Sequence, residues 1–183
     1  MIRCIEKGVV LWFTGLPASG KTTVARLVAE RLKASGYRVE LLDGDWVRRT
    51  INVGAGFSRE ERWRHLLRVA WIARLLGRNG VIVLCSFVSP YRGVRGEIRR
   101  IVSEEVPFLE IWVKCGLREC MRRDPKGLYR RALKGEITHM TGLGDPYEPP
   151  EAPDLILDSE VWSPEFNARL VLDYLARRFG IDA

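Results

Sequence analysis

Gly15-Leu16-Pro17-Ala18-Ser19-Gly20-Lys21-Thr22 is the stretch on which the reading of this chain turns. It fits the phosphate-binding pattern G-x-x-x-x-G-K-[ST] without a mismatch. The apolar run Val9-Val10-Leu11-Trp12-Phe13 leads into it, and a helical pattern follows. The glycines let the chain curl so that backbone N–H groups point at phosphate oxygens. Lys21 neutralises the β/γ charge, and the Thr22 hydroxyl reaches a Mg²⁺ ion. The helix that begins here aims its positive dipole end at the same anion. A strand before and a helix after separate this run from an ordinary glycine-rich turn, so a nucleoside triphosphate is the expected ligand.

Outward from the loop, strands and helices alternate. Strands are expected at Val9 to Thr14, Arg38 to Leu42, Val81 to Phe87, Phe108 to Val113 and Leu155 to Leu157. The continuous apolar run at Val81 to Phe87 suits a parallel sheet covered on both faces. Helices are expected from Lys21 to about Ser35, briefly from Asp45, from Ser58, from about Tyr91 to Glu104, and from Ser163-Pro164 onward. Ser58-Arg59-Glu60-Glu61 reads as a capping box, with Leu66, Val69, Ala70, Ala73 and Leu76 as the inner stripe of its helix. Residues 124–153, rich in Gly and Pro, read as one long irregular stretch, and a closing lid is expected there. The pattern implies an α/β fold in one domain spanning residues 1–183. Ligands should gather at the carboxyl ends of the strands, with the chemically loaded residues in the first four of those loops.

Composition narrows the class. The 183 residues carry 30 Lys+Arg against 23 Asp+Glu, a net charge of +7. The basic residues are spread along the chain, which suits an enzyme handling two polyanionic ligands better than one binding nucleic acid. No apolar run is long enough to span a bilayer, and Met1 to Lys7 lacks the apolar region of a signal peptide. A cytoplasmic location, with no membrane partner, is the expectation. Cys4, Cys85, Cys115 and Cys120 do not form a zinc pattern and read as reduced, mostly buried thiols. An Arg-rich chain with no glutamine is a weak sign of thermal adaptation.

Around the loop stand further candidates. Asp43-Gly44-Asp45 supplies carboxylates after the second strand. Asp43 reads as either a helix cap or a functional group, while Asp45 is favoured for holding the metal or accepting a proton. Ser89 and Tyr91, after the third strand, are expected at the mouth of the crevice. Arg48, Arg62, Arg92 and Arg95 are expected to reach it, since guanidinium forks suit phosphate and sulfate oxygens. Arg59, Arg64, Arg68 and Arg74 are expected on a solvated helix face. Lys126, Arg130 and Arg131 open the lid and are placed to meet the charge on a moving phosphoryl group.

Taken together, the segments resemble the adenylylsulfate kinase family. Those that carry the resemblance are Gly15 to Thr22, Asp43-Gly44-Asp45 with Arg48, Gly56-Phe57-Ser58 with Arg62, Ser86 to Arg92, Arg123-Asp124-Pro125-Lys126-Gly127-Leu128-Tyr129, Gly135-Glu136-Ile137, and Thr141-Gly142 leading to Asp145-Pro146-Tyr147-Glu148. The resemblance implies a three-layer P-loop NTPase fold of the nucleoside-kinase-like kind, with a five-stranded parallel sheet and a lid. It implies transfer of the γ-phosphoryl of MgATP to the ribose 3′-hydroxyl of adenylyl sulfate, in a homodimer. ATP then falls to Gly15, Leu16, Pro17, Ala18, Ser19, Gly20, Lys21, Thr22, Thr23 and Arg123, and Mg²⁺ to Thr22 and Asp45. The acceptor falls to Asp43, Arg48, Phe57, Arg62, His65, Val88, Ser89, Lys126 and Met140. Lys21, Asp45, Ser89 and Lys126 are the implied catalytic set, with Ser89 at the serine often described as a phosphoserine position. The family usually has Asn at His65, Phe at Met140 and an acidic residue at Gly144. A kinase of the same fold acting on another small nucleotide or alcohol is the alternative.

Overall fold

The computed structural model of the chain describes residue 3 and residues 5–183; Cys4 lies outside them. Five strands form one sheet: β1 (Val10–Thr14), β2 (Val39–Asp43), β3 (Ile82–Ser86), β4 (Phe108–Lys114) and β5 (Leu155–Asp158). Their spatial order is β2-β3-β1-β4-β5 and every pairing is parallel. β1 is central, with Val10 opposite Val83 on one side and Phe108 on the other. The helices are α1 (Lys21–Ala34), α2 (Gly44–Thr50), α3 (Arg59–Gly77), α4 (Arg92–Ser103), α5 (Leu117–Arg123), α6 (Leu128–Leu133) and α7 (Pro164–Phe179).

Alternation along β1 builds both layers. Val9, Leu11 and Phe13 face a core made with α1 and α7, in which Val24, Val28, Leu32, Val171 and Leu175 are buried. Val10 and Trp12 face the opposite core, made with α3 and α4 through Leu66, Val69, Ala73, Val94 and Ile98. All five residues of β1 and of β3 are buried, as a sheet covered on both faces requires. Each fully buried Leu, Ile or Phe contributes about 1.5–3 kcal/mol of transfer free energy. The chain therefore leaves β1 toward one helical layer and leaves neighbouring β3 toward the other. The two loops diverge at the carboxyl edge, and a crevice opens between them.

The capping box of α3 is formed: Glu61 N–H donates to Ser58 Oγ, and Ser58 N–H donates to Glu61 Oε2 at 3.1 Å. Two elements differ from the sequence reading. Residues 117–123 form α5, in the crossover where alternation calls for a helix but the sequence reading set no bounds, and the stretch 124–153 contains α6 rather than being irregular throughout. α6 has only six residues, too few for periodicity to show. It is stabilised by packing. Tyr129 of α6 joins Cys115, Cys120 and Met140 in a third small core, with Leu16 and Ala18 of the phosphate loop against it.

The arginines of α3 also differ from expectation. Arg74 pairs with Glu105 at 2.8 Å and bonds the Ile101 carbonyl. Arg68 donates to Asn52, and Arg59 lies over the Tyr91 ring. Arg64 stays solvated, as expected. Guanidiniums reach far enough to tie α3 to its neighbours, which helical position alone does not reveal. The thiols of Cys85, Cys115 and Cys120 are free and buried.

Candidate active site

The loop after β1 has the shape its composition predicts. At Gly15 the backbone takes φ +153, and a Cβ there would lie 2.5 Å from the Val113 carbonyl oxygen. Gly20 takes φ +97 at the head of α1, where no side chain caps the helix. The first-turn N–H groups of α1 are thus left for an anion. Ala18 also has positive φ, a conformation that costs about 1–3 kcal/mol in a non-glycine residue and clusters at functional sites. Lys21 is buried and donates to the carbonyls of Gly15 at 3.0 Å and Leu16 at 2.7 Å. Burial lowers its pKa to about 8. Gly15, Leu16 and Ser19 shape the loop from behind, while Pro17, Ala18, Gly20, Lys21, Thr22 and Thr23 line the cavity.

Thr22 stands at a corner rich in oxygen atoms. Its Oγ1 donates to Asp43 Oδ2 at 2.8 Å and lies 3.0 Å from Ser86 Oγ. Two hydroxyls and a carboxylate form an oxygen-only set, the kind a hard divalent cation takes. The other oxygen of Asp43 accepts from Asp45 N–H at 3.0 Å and so caps α2. Asp43 thus both caps α2 and meets Thr22, where the sequence reading gave cap and functional group as alternatives. Asp45 is half exposed, lines the same cavity and forms an ion pair with Lys126. The sequence favours Asp45 because Asp43 can serve as a cap alone; the turn of the chain brings Asp43 to Thr22 as well.

The opposite wall carries the second ligand's candidates. Arg48 donates to the carbonyls of Ala55 and Gly56 and lies 4.5 Å over the Phe57 ring. Phe57 itself is 56% exposed at the rim. Arg62 is buried; it donates to Phe57 O at 2.7 Å and to Thr141 Oγ1 at 2.6 Å, and pairs with Asp145 at 3.3 Å. It thereby ties α3 to the segment after α6. His65 is buried against Phe87, its Nδ1 2.6 Å from Asn52 Nδ2. Burial, then the charges of Arg48 and Arg68, lower its pKa to about 4. Its Nε2 has no partner among the described residues, and a buried donor left unpaired costs about 1–3 kcal/mol.

Ser89 lies at the floor rather than the mouth. It is 2% exposed, has positive φ, and its Oγ accepts from the Trp12 indole N–H at 2.9 Å. Val88, beside it, accepts from Thr14 through its carbonyl and lines the cavity. Tyr91 is buried at the head of α4 and does not line the cavity, contrary to expectation. Arg92 and Arg95 also stay out of it. Arg95 is buried and holds Glu110 at 2.7 Å and the Ser89 carbonyl at 2.6 Å, while Arg92 pairs with Glu151. Glu110 and Glu151 are distant in sequence, so their claim on these arginines was invisible there.

The lid segment sits over the loop. Tyr129 donates to the Pro17 carbonyl at 3.0 Å, and Asp124 accepts from the N–H groups of Tyr129 and Arg130 to start α6. Arg123 reaches the Ser159 carbonyl at 2.6 Å. Lys126, Arg131 and Met140 line the cavity, while Arg130 does not. The cavity has a volume of about 1260 Å³, larger than the 300–1,000 Å³ typical for one small ligand. Its lining includes one group around Arg62, with Phe57, His65 and Met140, and another around the Arg123–Ser159 bond, with Trp162, Pro164 and Asn167. Of this last group Arg123 is expected from the sequence, while Ser159, Trp162, Pro164 and Asn167 were missed by sequence reasoning. The loop after the fifth strand, one of those the carboxyl-edge rule selects, was the available signal.

Comparison with known proteins agrees with this geometry. The family model for adenylylsulphate kinase matches residues 7–158. A probable adenylyl-sulfate kinase of Aeropyrum pernix is 65% identical over 166 residues, covering 90% of this chain and 91% of that protein. The adenylyl-sulfate kinase of Halothermothrix orenii is 47% identical over 173 residues, covering 94% and 92%. The structure of the Mycobacterium tuberculosis APS kinase CysC in complex with AMPPNP and APS superimposes with a TM-score of 0.90 at 40% identity, covering 93% of this chain and 99% of that one. A phosphate loop, a large cavity that it lines and matches across nine-tenths of the chain lead to one conclusion: this chain belongs to the adenylylsulphate kinase family.

Proposed function

We propose that the chain transfers the γ-phosphoryl group of ATP to the ribose 3′-hydroxyl of adenylyl sulfate, giving 3′-phosphoadenylyl sulfate and ADP. The observation that carries this reading is that the phosphate loop, an arginine group with Phe57, and a second group with Arg123 and Trp162 all line one cavity of about 1260 Å³. It has room for two nucleotides meeting at Lys21. The Mycobacterium tuberculosis relative, bound to an ATP analogue and APS, supports the same pairing.

In this reading the donor's phosphates lie on the amides of residues 15–22, with Lys21 turning from its own loop carbonyls to the phosphate oxygens. Thr22 and Asp43 would hold Mg²⁺, with Asp45 beside them; the ion would neutralise charge on the phosphate oxygens. Arg48 and Arg62 hold the phosphosulfate of the acceptor, and Phe57 stacks on its base with Met140 opposite. Phosphoryl transfer of this kind needs positioning and charge stabilisation and no phosphoenzyme. The burial of Ser89 and its bond to Trp12 favour a role in shaping the floor. Lys126, paired with Asp45, closes the lid over the transferred group. We infer further that residues 1–183 work as one kinase unit with residues 124–153 as its lid, in the cytoplasm and as a homodimer; sedimentation velocity tests the last.

The deciding experiment is ADP release by the purified chain with MgATP and adenylyl sulfate, coupled to NADH oxidation. Turnover that depends on adenylyl sulfate supports the reading. Turnover with another nucleotide or an alcohol, and none with adenylyl sulfate, refutes it.

A further inference from the structure

His65 lines the cavity and is 2% exposed. Its two ring nitrogens are in different situations: Nδ1 faces the Asn52 side chain at 2.6 Å, and Nε2 is buried without a partner among the described residues. A third residue decides where the ring's proton is. Arg68 reaches Asn52 Oδ1 at 2.8 Å. A guanidinium only donates, so the atom facing it must be the amide oxygen. The amide nitrogen is then turned to His65 and donates, so Nδ1 must accept. A neutral imidazole that accepts at one nitrogen carries its proton on the other. Nε2 is therefore an N–H donor.

Two guanidiniums, those of Arg48 and Arg62, line the same cavity and draw an anion there. The charged groups near the ring are Arg48 from α2 and Arg68 from its own helix, and both disfavour an imidazolium. Phe87, from the loop after β3, meets the ring in an edge contact with centroids 5.7 Å apart. A neutral ring in this setting adds direction to anion binding without a further desolvated charge.

We propose that Arg68 and Asn52 are positioning residues that hold His65 as its Nε2–H tautomer, and that this N–H donates to a phosphosulfate oxygen of the acceptor. The proposal rests on adenylyl sulfate being that acceptor. It assigns work to two residues that do not line the cavity, and it accounts for the unpaired Nε2.

The test combines a spectrum with kinetics. The chain has two histidines, His65 and His139, so ¹⁵N-histidine labelling gives two sets of ring signals. The expected native spectrum at pH 7.5 has His65 Nε2 protonated and Nδ1 bare. Adding adenylyl sulfate with a non-hydrolysable ATP analogue should move the Nε2 signal more than the Nδ1 signal. In Asn52→Leu, the KM for adenylyl sulfate should rise roughly tenfold, with kcat and the KM for MgATP changing far less. His65→Asn, which retains an N–H donor, should keep a lower KM for adenylyl sulfate than His65→Phe.

A protonated Nδ1 in the native protein overturns the proposal. So does an Nε2 signal unmoved by adenylyl sulfate in an enzyme that turns it over, or a native KM in Asn52→Leu. The spectrum of the native protein does not depend on whether any variant folds. Failure of the acceptor reading looks different: no ADP is released with adenylyl sulfate, which overturns the phosphosulfate contact, while the tautomer, read without substrate, still decides whether the relay exists.

Discussion

Asp43 uses its two carboxylate oxygens for different tasks, one on the Thr22 hydroxyl and one on the N–H groups that begin α2. Substitution separates them. Asp43→Asn keeps a good capping group but removes the charge beside Thr22. Its kcat/KM for MgATP should fall at least about 100-fold, the scale of losing one group that stabilises transferred charge, with little change in melting temperature. Asp43→Ala should lose the same activity and about 1 kcal/mol of stability as well. An Asp43→Asn enzyme with native kinetics would remove Asp43 from the site. Lys21→Ala should cost about 10³-fold or more in kcat/KM, measured by the same coupled assay. Ser89→Ala should keep turnover within about tenfold, since only the bond from Trp12 is lost; a well-folded but inactive Ser89→Ala would restore the covalent route. Gly15 to Thr22 could be read directly from the chain because the motif is local. The choice between Asp43 and Asp45 could not, because it depends on how β2 ends beside β3, across from the loop after β1.

At the level of elements, α3 and the segment after α6 form one wall of the cavity together, joined through Arg62. α3 brings Arg62 and His65, and its start is fixed by the Ser58–Glu61 capping box. Ser58→Ala should destabilise the fold by about 1 kcal/mol, seen as a lower midpoint in urea with an unchanged slope. It should also raise the KM for adenylyl sulfate, since Arg62 lies in the first turns of the helix; a stability loss with native KM would detach the cap from the site. The lid joins the phosphate loop through Tyr129, whose hydroxyl donates to Pro17 O and whose ring fills the small core with Cys120 and Met140. Tyr129→Phe leaves that carbonyl unpaired and should raise the KM for MgATP several-fold, by an energy of about 1 kcal/mol. The capping box was legible because its four residues are consecutive. α6 was not, since six residues between Gly127 and Gly135 become helical through contacts with Leu16, Ala18 and Cys120.

For the whole molecule, the buried imidazole of His65 links pH to stability. Its folded value of about 4 lies below the ordinary 6.5. The unfolded chain therefore takes up a proton as pH falls through 6.5, while the folded chain does not until about 4. Stability from this group is complete above about pH 7 and is lost between 6.5 and 4, by up to about 3 kcal/mol. Urea unfolding of the native protein and of His65→Asn should show their difference moving in favour of His65→Asn as pH falls from 7.5 to 5; a constant difference would contradict the burial argument. The sequence by itself determined the phosphate loop, the parallel sheet and the family, because contiguous motifs and runs of apolar residues need no distant partner to be read. Only the tertiary structure decided which arginines line the cavity and which face Glu110 or Glu105, that Asp43 meets Thr22, and that Asn52 stands between Arg68 and His65. Those outcomes depend on side chains far apart in sequence competing for the same partners, and the competition is settled by the order of strands that brings them together.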